Sequence, residues 1–243
     1  MFYESVLAIE VSEVNVGDIA SELESASAET VLREVVERFS PGVAVSCSFG
    51  GPSGLVIVDQ LARMNLLDRV EVYYLDTGLL FSATHDVREE MERRYGFEAT
   101  AYRPQLSLVQ QASLHGNDLW DRDPDECCGM RKVAPNAEAL GGKSAWITGI
   151  RRDQSVGREE TPVLAWNARF RLVKVAPLRD WSEEKVWEYV RQHQVPYNAL
   201  HEDGYPSLGC NTVCTVRPGS GESLRAGRWR GYDKTECGLH DSP

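Results

Sequence analysis

Six cysteines carry most of the chemical information in this 243-residue chain: Cys47, Cys127, Cys128, Cys210, Cys214 and Cys237. Cys127 and Cys128 are adjacent. A second pair, Cys210-Asn211-Thr212-Val213-Cys214, follows much later. Four thiolates drawn from two such pairs suit a tetrahedral zinc ion or a 4Fe–4S cluster, and spacing alone does not separate the two. Four buried structural cysteines are the plainer alternative. Cys47 lies inside an apolar run and belongs to the core. Cys237 stands apart in Lys234-Thr235-Glu236-Cys237-Gly238-Leu239-His240, close to the C-terminal end. A thiol on a tail could enter a site, react, and swing out to a partner. His240 and nearby arginines would lower its pKa and raise its thiolate fraction.

An anion site is the second chemical theme. Ser48-Phe49-Gly50-Gly51-Pro52-Ser53 follows a β-rich run and precedes an apolar-periodic stretch, so backbone N–H groups and a helix N-terminus would face a ligand there. No Gly-Lys-Ser/Thr follows, which excludes a Walker A loop. Lys132, Arg151, Arg152, Arg158, Arg225 and Arg228 fall in or near expected loops. Each alone reads as a solvated charge; gathered together they would grip a small polyanion. The net charge of −11 argues against a nucleic-acid binder. The N-terminus lacks a basic, then apolar, leader, and no apolar stretch nears the ~20 residues of a membrane span. A cytoplasmic location is expected, with no membrane partner. In that reducing compartment cysteines point to metal binding or catalysis rather than bridges.

The elements that position these residues are expected to alternate. Residues 1–27 suggest one or two leading helices. Strands are expected at 42–47, 70–75, 98–102, 145–150 and 171–175, and helices at 55–67, 81–95, 124–140 and 182–193. Gly96 would stop the second of these helices and Ser182 would cap the fourth. This pattern predicts a mostly parallel sheet with helices on both faces, whose ligands sit beyond the strands' carboxyl ends. Ser48–Ser53, Asp76–Gly78 and Gly149–Arg152 should cluster there. Residues 1–215 read as one α/β domain and 216–243 as an irregular tail carrying Cys237.

Taken together the motifs resemble the assimilatory adenylylsulfate reductases, within the sulfonucleotide reductase family and the Rossmann-like adenine nucleotide α-hydrolase-like α/β fold. The resemblance rests on Ser48-Phe49-Gly50, Leu75-Asp76-Thr77-Gly78-Leu79-Leu80-Phe81, Cys127-Cys128 with Arg131-Lys132, Thr148 to Ser155, Gly204 to Cys210, Arg225 to Trp229, and Glu236-Cys237-Gly238-Leu239-His240. It covers residues from about 42 to 240. It implies reduction of adenosine 5′-phosphosulfate to sulfite and AMP, with Cys237 as the nucleophile that becomes S-sulfocysteine. It implies adenosine and phosphate contacts at Ser48, Phe49, Gly50, Leu75, Asp76, Thr77, Gly78, Phe81 and Gly149. Lys132, Arg158, Arg225 and Arg228 would hold the phosphosulfate, with Arg151, Arg152 and His240 beside them. Thioredoxin or glutaredoxin would donate electrons. Cys127, Cys128, Cys210 and Cys214 would hold one 4Fe–4S cluster per chain, non-redox, acting through local charge and by positioning Lys132. A homo-oligomer is left open.

Two departures from the family pattern stand out. The second cysteine pair carries one residue more than the family's Cys-x-x-Cys, and Gly51-Pro52-Ser53 replaces an acidic stretch after Ser-Phe-Gly. Three rivals remain. One is a reductase of the 3′-phosphorylated substrate with a vestigial or zinc-filled cysteine site. Another is an ATP-using adenylyltransferase or thiolation enzyme, which Pro52 disfavours. The last is a non-catalytic metal or redox sensor, which would need neither the basic set nor the adenosine segments.

Overall fold

The computed structural model describes residues 13–211, 214–234 and 236–240, with side chains from residue 16 onward. Helices α1 (Glu13–Leu23) and α2 (Ala28–Phe39) lead into strand β1 (Val43–Ser46), helix α3 (Pro52–Arg63), strand β2 (Glu71–Leu75), helix α4 (Ser82–Tyr95) and strand β3 (Thr100–Tyr102). Short helices α5 (Leu108–His115), α6 (Leu119–Arg122), α7 (Pro124–Cys128) and α8 (Ala134–Leu140) precede β4 (Ala145–Thr148), β5 (Leu164–Asn167), β6 (Leu172–Val175) and helix α9 (Glu183–His193). The expectation for residues 1–12 lies outside the described residues.

The six strands form one sheet in the order β3-β2-β1-β4-β6-β5, parallel except for β5 against β6. Strand alternation divides the core. Val43, Val45, Val72, Tyr74 and Ile147 face one side with α2 and α3; Ala44, Tyr73 and Trp146 face the other with Ala139 and Leu140 of α8. β1 sits between β2 and β4, so the chain leaves it in opposite directions on its two sides. That is a topological switch point, and a crevice opens there beyond the strands' carboxyl ends.

Local signals set most boundaries. Ser182 accepts from Lys185 N at 3.2 Å, and Gly96 ends α4 in the left-handed region. Several expectations change. Residues 28–39, not assigned from sequence, form α2, whose Val31, Leu32, Val35, Val36 and Phe39 make one buried face and whose N-terminus is capped by Ser27. The single helix expected over 124–140 is three pieces: α7, a π turn over Gly129–Val133, and α8. Pro135 explains the interruption, because it cannot donate to the carbonyl four residues back. The edge strand β5 and the short helices α5 and α6 are likewise not assigned from sequence.

Candidate active site

The crevice at the switch point is a cavity of about 270 Å³. One wall is the β1–α3 turn. Phe49 takes a left-handed backbone (φ 53°), and its ring is buried edge-on to Tyr74, so it pins the turn from within rather than facing the cavity. Ser48 and Gly50 line the cavity. Gly149, at the end of β4, packs so close to α3 that a Cβ would fall 2.9 Å from the Ser53 Cβ, so only glycine lets the two walls meet. Arg151 spans that junction, donating to Ser53 Oγ at 2.5 Å and forking onto Asp153 at 2.9 and 3.1 Å. His201 bridges the Gly50 and Tyr205 carbonyls at 2.8 and 2.7 Å, a contact the sequence reading missed.

The second wall is the loop after β2. Leu75 and Thr77 line the cavity. Asp76 instead shapes the loop, accepting from Gly78 N at 3.1 Å and pairing with Arg103. Phe81 packs on Tyr205. Arg131 locks this loop to the π turn, donating to Thr77 O at 2.6 Å and to Gln111 Oε1 at 2.7 Å. Arg152 turns away to Asp180 and Thr161 O. Thus Phe49, Asp76, Gly78, Phe81 and Arg152 sit behind the lining, whereas Ser48, Gly50, Leu75, Thr77, Gly149 and Arg151 form it.

Cations dominate the third wall. Lys132, Arg158, Arg225 and Arg228 all line the cavity with Cys237 and His240. The Trp229 ring gathers three of them and Lys234, with cation–centroid distances of 4.6 Å for Arg228, 5.3 Å for Lys234, 5.7 Å for Lys132 and 5.9 Å for Arg225. Gly209 makes room for Arg228: a Cβ there would lie 2.1 Å from its Nη2. Arg228 Nε has no hydrogen-bond partner among the described residues. Burial pushes Lys132 down, but the facing thiols of Cys210, Cys237 and Cys128 outweigh it and hold the ammonium above its usual value. Burial, with Arg158 and Arg228 nearby, pushes Arg225 down to about 10, so it stays charged at neutral pH. His240 stacks on Trp146 at 5.3 Å with an interplanar angle of 12°. Burial, aided by Lys174, Arg158 and Arg225, drives its pKa well down. It is therefore neutral and lends Cys237 no positive charge, contrary to the expectation from sequence.

Behind the cations lies a thiol cluster. Cys127, Cys128, Cys210 and Cys214 are each at most 7% exposed. Cys128, Cys210 and Cys214 pack with Leu79 and Trp229, and Cys237 lies against the group. Cys214 donates to Cys210, which lowers the Cys210 thiol and raises that of Cys214; Thr77 Oγ1 lies 3.4 Å from Cys210 Sγ. Burial pushes Cys127 up to about 11. Among the described residues no group of three or more His, Cys, Asp or Glu is set around a single metal ion. The donor set is all thiol, buried, and flanked by Lys132 and Arg131. That composition fits an iron–sulfur group better than a hard cation.

A six-stranded, mostly parallel sheet with a nucleotide-sized crevice at its switch point defines a Rossmann-like nucleotide-binding α/β protein. Structures of Candida glabrata FMN adenylyltransferase share that fold, one with a TM-score of 0.55 at 15% identity over 94% of this chain and 84% of the other. A phosphoadenylyl-sulfate reductase from Candida auris, solved with phosphate, superposes with a TM-score of 0.72 at 29% identity, over 84% of this chain and 97% of that one. Adenosine 5′-phosphosulfate reductase from Oceanobacillus iheyensis is 40% identical over 90% of both chains, and adenosine 5′-phosphosulfate reductase 1 from Bacillus subtilis is 41% identical over 87% of this chain and 90% of its own. The phosphoadenosine phosphosulfate reductase domain model matches residues 42–216, and the chain belongs to that family.

Proposed function

We propose that this protein reduces adenosine 5′-phosphosulfate to sulfite and AMP in sulfate assimilation. The observation that carries this reading is the convergence of Cys237 with Lys132, Arg158, Arg225 and Arg228 on one cavity at the switch point. The adenosine lies along the β1–α3 turn and the end of β2, and the phosphosulfate meets the cations. Their charge lets a thiolate approach an anion and stabilises the negative charge gathering on the departing phosphate. Cys237 Sγ attacks sulfur, the S–O bond to phosphate breaks, and AMP departs with that electron pair. AMP is a stable anion at neutral pH and needs no proton donor. A dithiol protein of the thioredoxin or glutaredoxin class then attacks Cys237 Sγ, releasing sulfite and leaving a mixed disulfide that its second thiol resolves. Two electrons pass from dithiol to sulfur. Such a donor suits a reducing, cytoplasmic setting.

Cys127, Cys128, Cys210 and Cys214 would hold a 4Fe–4S cluster, whose role would be to set local charge beside Lys132 rather than to pass electrons. The names of the bacterial relatives and the four-thiol set favour the substrate without a 3′-phosphate.

Intact-mass analysis and peptide mapping after incubation with adenosine 5′-phosphosulfate, without reductant, test the reading. A sulfo adduct on Cys237, discharged as sulfite by thioredoxin, is expected. An adduct formed only with the 3′-phosphorylated substrate would move the protein to the other branch; none with either would remove the activity.

A further inference from the structure

The arginines expected to hold the substrate already hold an anion. Arg158 Nε and Nη2 donate to the two carboxylate oxygens of Glu236 at 2.8 and 2.6 Å. Arg225 Nη2 adds a bond of 3.2 Å, and the Ser155 hydroxyl one of 3.3 Å. This is the bidentate fork by which arginine grips a planar or tetrahedral oxyanion. Arg158 is buried, and Glu236 is only 21% exposed, so the pair is largely shielded from solvent.

Two physical points give the contact meaning. Four cations crowd a half-buried space, and without a counter-ion they repel one another; Glu236 supplies the missing charge when no substrate is present. Glu236 is also the residue immediately before Cys237. An anion that takes over the same arginines therefore lands within one residue's reach of the nucleophile. The latch and the reacting atom share one short segment, so opening the first frees the second to move.

We propose that Glu236 is an internal stand-in for the substrate's anion: its carboxylate latches the tail onto Arg158, Arg225 and Ser155, and the phosphosulfate displaces it on entry. The proposal rests on the substrate assignment above but is tested separately from it. Glu236 is a positioning residue; it touches no reacting atom. Because a ligand must first open the latch, its apparent affinity is reduced by the fraction of molecules already open. Removing the carboxylate's charge therefore strengthens ligand binding, an effect that damage to the fold would not produce.

The experiment compares the parent with Glu236→Gln and Glu236→Asp, using calorimetric titration with AMP and, without nucleotide, the rate of Cys237 alkylation by iodoacetamide. In Glu236→Gln the AMP Kd should fall roughly tenfold, as for a latch closed in about nine molecules of ten, and alkylation should accelerate. Glu236→Asp keeps the charge and should stay near the parent in Kd. Unchanged or weaker AMP binding in Glu236→Gln, with the nucleotide still bound by the parent, would overturn the latch and assign Arg158 permanently to the tail. Failure of the parent to form a Cys237 adduct with adenosine 5′-phosphosulfate would instead count against the function and leave this comparison intact.

Discussion

Cys237 and Lys132 divide the chemistry in a way that substitution separates. In the proposed reaction the thiol attacks, and the ammonium, kept charged by the thiols around it, meets the developing charge. Cys237→Ser should abolish sulfite release, by at least about 10³-fold, while AMP affinity stays within about twofold. Loss of both would make Cys237 structural. Lys132→Gln should lower kcat/KM by about 10²–10³-fold, the range for removing one charge-stabilising donor, in a sulfite-release assay. Many single residues of the site were legible in sequence because their motifs are dense and ordered. What the motifs do not encode is direction. Arg151 sits on extended backbone (φ −134°, ψ 152°) and Arg152 opens a 3-10 turn, so their side chains diverge, one to Ser53 and the other to Asp180. Phe49 and Asp76 lie in the right loops but serve the loops themselves. Glu236 sits inside the quoted motif, yet its role depends on Arg158, 78 residues away in the chain.

Elements set the site's rigidity, and two of them bear on tests. The π turn follows Cys127 and Cys128 of α7, which lie beside Cys210, and its Lys132 lines the cavity. Residues 124–140 read as one helix because Pro124 and Gly141-Gly142 bracket them as start and stop signals, and neither signal marks a π turn inside. Cys128→Ser should lose iron while the sheet survives, seen as an iron content well below the parent's with an unchanged far-UV spectrum. Full iron retention would sink the cluster assignment. On the opposite face, Asp59 of α3 is fully buried and accepts from Tyr95 of α4 at 2.7 Å, Tyr189 of α9 at 2.6 Å and Arg63 at 2.7 Å. It ties three helices together behind the switch-point crevice. Asp59→Ala strands two hydroxyls and should cost about 3 kcal/mol. In a chain of this length that is a Tm fall of roughly 6–12 °C in thermal denaturation. Nothing in the sequence marks Asp59, since a lone acid in an apolar helix gains its partners only when α4 and α9 fold against it.

At the scale of the whole molecule the C-terminal segment spans the sheet's carboxyl edge. Lys234 pairs with Asp125 of α7, Glu236 with Arg158, and Lys174 of β6 donates to the His240 carbonyl at 3.2 Å. His240 closes the strap by stacking on Trp146 of β4, its Nδ1 buried without a partner among the described residues. Lys174, Arg158 and Arg225 all face that imidazole, and burial reinforces them, so protonation in place is disfavoured. The sign follows from linkage. The docked imidazole has a pKa well below the ordinary 6.5, so the undocked tail binds more protons in the window beneath 6.5. Docking is thus fully favoured above 6.5 and weakens as pH falls below it. A histidine-resolved NMR titration should show one of the five imidazoles titrating well below 6.5, and that resonance should be missing in His240→Gln. Hydrogen exchange of the 236–240 segment, corrected for intrinsic pH dependence, should rise from pH 7 to pH 5.5 in the parent and stay level in His240→Gln. A His240 resonance titrating at or above 6.5 would mean that the ring is solvated and the strap is not closed by stacking. The consequence is specific: acid would loosen the Cys237-bearing tail at His240 while every cation of the anion site stays charged, so the acid dependence belongs to the tail and is lost in His240→Gln.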